Sequence, residues 1–171
     1  PSLQPLVDML ADQMQEVNST IIARMDSDVP LIAELGGHLI AAGGKRMRPL
    51  LTLAGAALVG ADSTGRDKAI KLATAVEFIH SATLLHDDVI DESNLRRGRD
   101  TANALWGNEA SVLVGDFLFA RSFELMVETG NINVLGRLSN AAARITEGEI
   151  KQMAITGAPD TEMDAYLDVI T

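Results

Sequence analysis

Apolar residues return every three or four positions through most of this 171-residue chain, and this spacing is the strongest constraint on its fold. The first such series is Leu3, Leu6, Val7, Leu10, Met14, Val17, Ile21 and Ile22. This spacing places the apolar side chains on one face of an α-helix, which then has to pack against another element. No segment alternates between apolar and polar residues over the length of a strand, and aromatic residues make up only 4% of the chain. The sequence therefore predicts an all-α fold.

Prolines and glycines divide the chain into successive helices. Pro30 and Pro49 suit the first turn of a helix, and the pair Gly43-Gly44 and Gly60 suit helix ends. The predicted helices cover residues 3–24, 30 to the glycines at 43–44, 49–60, 67–91, 110–128, 133–155 and 161 onward, with a basic loop at 94–100. Short connections favour antiparallel neighbours, so we expect a single all-helical domain over residues 1–171.

Composition excludes several classes of protein. The chain carries 14 basic and 24 acidic residues, a net charge of −10, which disfavours binding to nucleic acid. The absence of cysteine excludes a disulfide framework and a thiolate metal site. No apolar run reaches the length of a membrane span, and the first residues lack the charged region of a signal peptide. We therefore expect a cytoplasmic protein with no nucleic-acid partner and no transmembrane segment.

One face of the fourth predicted helix carries the residues Glu77, His80, Leu84, Asp87 and Asp91. Asp87 and Asp91 stand one turn apart and can reach one cation, whereas Asp88 points to the side and suits an orienting role. Carboxylate oxygens without sulfur or paired imidazoles favour Mg²⁺, with Mn²⁺ as an alternative. Because Mg²⁺ completes its shell with water and substrate phosphate, the pattern indicates a metal-bridged diphosphate. A solvated acidic helix end is the alternative.

Two short basic segments stand out in this acidic chain. The first holds Lys45, Arg46 and Arg48 next to two glycines, and the second holds Arg96, Arg97 and Arg99. Together they contain six of the 14 basic residues, which locally reverses the sign of the field. Guanidinium groups bind phosphate through two parallel hydrogen bonds, and glycine lets backbone N–H groups approach it. Both segments are candidate anion sites, with solvated loops as the alternative.

Together these segments resemble the trans-prenyl diphosphate synthases. The matching motifs are Gly43-Gly44-Lys45-Arg46-x-Arg48-Pro49, Glu77-x-x-His80, Asp87-Asp88-x-x-Asp91 and Arg96-Arg97-Gly98. Residues 81–91 are most similar to the long-chain members, the octaprenyl, solanesyl and decaprenyl diphosphate synthases. The resemblance implies an isoprenoid-synthase-type helical bundle around a central cavity, usually homodimeric. It also implies Mg²⁺-dependent head-to-tail condensation of isopentenyl diphosphate onto an allylic prenyl diphosphate, as in the synthesis of ubiquinone side chains.

The resemblance also implies roles for individual residues. Asp87 and Asp91 would ligate Mg²⁺, and Arg96 would hold the allylic diphosphate and complete the catalytic set. The residues expected to hold isopentenyl diphosphate are Lys45, Arg48, His80 and Arg97. Gly148-Glu149 and Gln152 resemble a further family stretch to which we assign no role.

Two further expectations concern the extent of the chain and its product. The family pattern continues past Tyr166, Val169 and Ile170 into a Lys-Thr pair and a second aspartate-rich motif, so we expect these 171 residues to be an N-terminal half without turnover of its own. In the family, bulky aromatics just before the first aspartates close the pocket for the growing chain. Ala82 and Thr83 are small, which predicts a long product.

Three alternatives remain open at this point. A ferritin-type di-metal bundle would explain Glu77-x-x-His80, but neither His38 nor His86 has a glutamate three residues before it. A non-catalytic subunit with the same fold is a second alternative. A terpene cyclase is the third, although the first basic segment favours a second diphosphate and hence condensation.

Overall fold

The computed structural model describes residues 3–41, 44, 46–155, 163–164 and 167. Its elements in these ranges are α1 (Gln4–Met9), α2 (Ala11–Arg24), α3 (Pro30–Ala41), α4 (Met47–Leu58), α5 (Ser63–Ile90), β1 (Leu95–Arg96), β2 (Arg99–Asp100), α6 (Ala102–Trp106), α7 (Asn108–Glu128) and α8 (Ile132–Ile155). The all-α prediction is confirmed. The chain divides into two compact units, Pro1–Gly130 and Asn131–Thr171, which are described separately. The expectation of one domain over the whole chain stays a prediction.

Helix α5 is the centre of the first unit and packs against α7, α4 and α2. It begins at an N-cap, Asp62, whose side chain accepts a hydrogen bond of 2.8 Å from the backbone N–H of Gly65. Phe78 and Leu85 of α5 are fully buried, as are Leu118 and Leu125 of α7. This apolar contact between α5 and α7 holds the polar face of α5 in place.

The predicted helix over residues 3–24 is interrupted at Leu10, so α1 and α2 are separate helices. The backbone of Leu10 lies outside the helical region (φ −106°, ψ 13°), and its side chain is only 2% exposed. Leu10 is buried, as are Val17 and Ile21 further along the same apolar series, so the break changes the local backbone and not the side that faces the core.

Helix α4 begins two residues before its proline. Arg46 precedes it in the left-handed conformation (φ 47°, ψ 40°), and Pro49 lies in the first turn, as predicted. Helix α3 begins at Pro30 as predicted. This helix is predicted to end at Gly43-Gly44, and Gly43 lies outside the described residues.

Residues 94–100, predicted as a loop, form an antiparallel hairpin. Leu95 pairs with Asp100 and Arg96 with Arg99, which leaves a two-residue turn. Both turn residues have positive φ, 53° at Arg97 and 76° at Gly98, as the tightest hairpins require. Two-residue strands are too short to show alternation, and the five-residue helix α6 is likewise too short to show helical periodicity.

The second unit contains α8, which confirms the helix predicted over 133–155. At its start, the Asn131 side chain accepts hydrogen bonds from the backbone N–H groups of Asn133 and Val134, at 3.1 and 3.3 Å. The helix predicted from residue 161 falls largely outside the described residues. None of the helices in the described ranges combines the length and apolar character needed to cross a bilayer.

Candidate functional site

A cavity of about 590 Å³ in the first unit brings the two basic segments together beside α5. Its charged and imidazole lining consists of Arg46, Arg48, Arg96, Arg97, Arg99, His38, His80, Glu77, Asp88 and Asp100. Five arginines against three carboxylates give this lining an excess of positive charge in a chain of net charge −10. The arrangement suits a multiply charged anion.

The turn of the hairpin contacts the segment before α4. A Cβ atom placed on Gly44 would lie 3.4 Å from Nη1 of Arg97, so the guanidinium group rests almost on the backbone of this glycine. Arg97 itself has the left-handed backbone that most side chains avoid. The segments that the sequence predicted as two anion sites therefore form two walls of one site. Lys45 lies outside the described residues.

Asp88 binds Arg96 through both carboxylate oxygens. Nε of Arg96 lies 3.1 Å from each oxygen, and Nη2 lies 2.8 Å from Oδ1. Asp88 is only 4% exposed, and its hydrogen bond is the main reason that the pKa of Arg96 is raised above its ordinary value. The sequence predicted an orienting role for Asp88, and its geometry is that of a group that fixes an arginine.

A small polar network attaches the hairpin to the end of α5. The Thr101 hydroxyl donates to the carbonyl of Ser93 at 2.8 Å. The Asn103 amide donates to the same carbonyl at 3.1 Å and to the carbonyl of Asp88 at 3.2 Å. These bonds satisfy carbonyls at the C-terminal end of α5 and fix the position of Arg96 relative to the aspartates.

His38 is a site residue that the sequence analysis missed. Its Nε2 lies 3.0 Å from the carbonyl oxygen of Asp100, and its ring meets Trp106 edge to face at 5.3 Å between centroids. The ring therefore joins α3 to the strand that carries Arg99. No motif marks His38, because its partners are supplied by a hairpin and a short helix more than 60 residues away.

His80 lines the cavity one helical turn from Glu77. Burial of the imidazole, and next the positive charge of Arg48, lower the pKa of His80 below its ordinary value, while Glu77 acts in the opposite direction. The ring is therefore neutral at pH 7 and has one donor and one acceptor nitrogen. A neutral imidazole beside arginines can hydrogen-bond a phosphate oxygen without adding to the charge already present.

Asp87 and Asp91 lie at the last turn of α5, outside the cavity lining. Asp87 is half-buried, and Asp91 is exposed at the C-cap (φ −83°, ψ 0°). Within the described ranges, no three acidic or histidine side chains converge as a metal cluster. Two carboxylates one turn apart still fit Mg²⁺, which is commonly held by one or two carboxylates together with water and substrate phosphate. The donor set matches part of such a site.

The two small residues before the aspartates differ in exposure. Ala82 is fully buried in the packed interior of the first unit. Thr83 is half-buried, and its hydroxyl donates to the carbonyl of His80 at 2.9 Å. Thr83 is thus the less buried residue of the pair, and neither of the two is among the residues that line the cavity.

Comparison with known proteins identifies the family. A profile of the polyprenyl synthetases matches residues 29–171, which is most of the chain. The chain belongs to the polyprenyl synthetase family. This confirms the resemblance stated above and excludes the ferritin-type bundle.

Among its relatives, the octaprenyl diphosphate synthase of Haemophilus influenzae is 46% identical over 165 residues, which are 96% of this chain and 49% of that protein. A crystal structure of a Rhodobacter capsulatus decaprenyl diphosphate synthase is 54% identical with a TM-score of 0.91. A Caulobacter crescentus polyprenyl synthase, complexed with calcium and isoprenyl diphosphate, is 53% identical with a TM-score of 0.92. In both comparisons the match covers 99% of this chain and 51% of the other chain.

The expected polyprenyl synthase fold is therefore confirmed. The chain spans about half the length of the curated relatives it matches.

Proposed function

We propose that this chain supplies the N-terminal half of a long-chain trans-polyprenyl diphosphate synthase. The enzyme would add isopentenyl diphosphate to an allylic prenyl diphosphate. The allylic carbon–oxygen bond breaks, a carbon–carbon bond forms to the isopentenyl alkene, and a proton is lost from the isopentenyl unit. The observation that carries the proposal is the meeting of both arginine segments and His80 in one cavity beside the aspartate-bearing end of α5.

Arg48, His80 and Arg97 are the described residues assigned to isopentenyl diphosphate, together with Lys45. Guanidinium forks on two walls of a cavity can bind both phosphates and still leave the alkene directed along α5. Neutral His80 adds a hydrogen bond from the helix itself. Fixing the alkene in one orientation removes much of the entropic cost of a reaction between two substrates.

Arg96 is assigned to the allylic diphosphate, and Asp87 and Asp91 to Mg²⁺, with Mn²⁺ as an alternative. The metal, when bound, stabilises negative charge on the departing diphosphate. Arg96 contributes a positive charge in a position already defined by Asp88, so little reorganisation is needed as the charge develops. Asp88 acts through Arg96 and is a positioning residue.

We further propose a long product and a cytoplasmic homodimer. The small side chain of Thr83 borders the path that a tail would take from the aspartates along α5. Apolar side chains of α7 are exposed in the described chain, among them Leu113 at 67% and Val127 at 62%. Such a surface suits contact with a second copy.

Incorporation of radiolabelled isopentenyl diphosphate by the full-length protein tests the proposal. We expect Mg²⁺-dependent extension of an allylic primer, and no turnover by residues 1–171 alone. Replacing Arg97 by alanine should greatly reduce incorporation. The matched control is Arg66→Ala, since Arg66 is exposed near the start of α5 and does not line the cavity. Absence of incorporation by the folded full-length protein with several allylic primers would refute the assignment.

A further inference from the structure

Two residues that line the cavity, Arg46 and Glu77, form an ion pair. Nη1 of Arg46 lies 3.0 Å from Oε1 of Glu77, with side-chain exposures of 19% and 12%. The partners are 31 residues apart in sequence, one just before α4 and the other inside α5. This pair directly links a side chain of the first basic segment to the helix that carries His80.

The ion pair involves a residue with an unusual backbone conformation. Arg46 has the left-handed conformation, which is unfavourable for a residue with a Cβ and persists when surrounding contacts hold it. Its carbonyl accepts a hydrogen bond of 3.1 Å from the N–H of Leu50, which starts α4. Arg48 is two residues further on, in the first turn. The residue that Glu77 binds is therefore also the residue that precedes α4 and accepts one of its first backbone hydrogen bonds.

Glu77 is otherwise out of place in a site for anions. A carboxylate on the wall of a cavity repels a diphosphate. Its presence there therefore indicates a role other than binding the anion. Its partner Arg46 is mostly buried, with 19% of its side chain exposed, whereas 41% of the Arg96 side chain is exposed.

We propose that Glu77 and Arg46 form a positioning pair: Glu77 holds Arg46 in its left-handed conformation and thereby places Arg48 for the isopentenyl diphosphate. Neither residue of the pair contacts the substrate. The inference rests on the proposed function, because it assumes that the cavity binds this diphosphate.

The direction in which the KM for isopentenyl diphosphate changes distinguishes the two possible roles of Glu77. If Glu77 only lines the cavity, Glu77→Gln removes a repulsive charge, and the KM for isopentenyl diphosphate should fall. If Glu77 positions Arg46, the same change should raise that KM about tenfold, because a neutral amide holds a guanidinium group more weakly than a carboxylate does. The KM for the allylic primer should change much less, because Arg96 is held by Asp88 and not by this pair.

A double-mutant cycle in the full-length enzyme tests the coupling. Arg46→Gln and the double variant with Glu77→Gln should show nearly the same KM as Glu77→Gln alone, since each change breaks the same bond. Additive increases would mean that Arg46 contacts the substrate itself and would overturn the proposal. Arg46→Lys, which keeps the charge, should recover part of the affinity.

The matched control is Asp67→Asn on the same helix. Oδ2 of Asp67 lies 3.2 Å from Nζ of Lys71, and neither residue lines the cavity. It should leave both KM values unchanged. Circular dichroism and the urea midpoint establish that each variant is folded, and if Glu77→Gln fails to fold, Arg46→Lys and Arg46→Gln carry the test. Wild-type enzyme without any incorporation would refute the proposed function. Active wild type with an unchanged or lower KM in folded Glu77→Gln would refute the positioning pair alone.

Discussion

The imidazole ring of His86 on α5 occupies the space that a side chain at position 115 on α7 would need. Gly115 is buried, and a Cβ atom built on it would collide with the ring. Nε2 of His86 lies 3.1 Å from the carbonyl oxygen of Val112 and 3.5 Å from Oδ1 of Asp116. The glycine thus allows α5 and α7 to approach closely at His86, which directly precedes Asp87.

Gly115→Ala is expected to destabilise the protein. Overpacking against the ring should cost about 1–3 kcal/mol, which exceeds the gain of at most about 1 kcal/mol from the better helix propensity of alanine. The free energy of urea unfolding measures the effect. Gly55→Ala on α4 is the control, because a Cβ there meets no described atom within 4 Å and should be neutral or stabilising. Equal behaviour of the two variants would contradict the steric role of Gly115.

The three aspartates at the end of α5 should respond differently to substitution by asparagine. Asp87→Asn and Asp91→Asn each remove a charged ligand, so the Mg²⁺ concentration for half-maximal activity of the full-length enzyme should rise about tenfold or more. Asp88→Asn weakens the hold on Arg96 and should instead raise the KM for the allylic primer, with little change in the Mg²⁺ requirement. Mg²⁺ titrations at saturating substrate separate the two effects. A shifted Mg²⁺ requirement in Asp88→Asn would make Asp88 a ligand.

Glu128 provides a pH-dependent contribution to stability. Its carboxylate lies 2.6 Å from Nη2 of Arg24 and 3.7 Å from Nζ of Lys71, and the hydrogen bond from Arg24 is the main cause of its lowered pKa. A carboxylate with a lowered pKa stabilises the folded state above the unfolded-state value of 4.5, and this contribution is lost as the pH falls through the folded-state pKa.

Glu128→Gln should therefore lower the free energy of unfolding at pH 7 by no more than about 1 kcal/mol, because the pair is partly exposed and screened. The difference from wild type should shrink as the pH falls below the pKa that the carboxyl group has in the unfolded state. Urea titrations at several pH values show this convergence. Glu124→Gln, which breaks an exposed pair within α7, should have a smaller effect at pH 7. A constant difference at all pH values would mean that the charge of Glu128 is irrelevant.

Product length should respond to position 83 more cleanly than to position 82. Thr83→Phe adds bulk at a half-buried position and should shorten the longest product of the full-length enzyme. Ala82→Phe adds the same bulk inside a packed interior, where overpacking costs about 1–3 kcal/mol, so it should also lower the unfolding midpoint. Chromatography of the dephosphorylated products, together with urea unfolding, separates the two outcomes. Unchanged products in both variants would place the tail elsewhere.

Much of the local structure was predictable from the sequence, because helices depend on near neighbours. The spacing along α5 placed Glu77, His80 and Asp87 on one face, and the prolines marked the starts of α3 and α4. The prediction was wrong where a short segment departs from regular periodicity. The backbone at Leu10 departs from helical geometry, and residues 94–100 form a hairpin in which only the turn shows a clear local signal.

The sequence by itself determined that the chain is helical, that two aspartates stand one turn apart, and that its arginines cluster in two segments. These properties depend on spacings of a few residues. Only the tertiary structure decided that both segments line one cavity, that Asp88 holds Arg96, and that Arg46 pairs with Glu77. Such pairings join distant residues, and they depend on how α5 packs against its neighbours, which local periodicity does not encode.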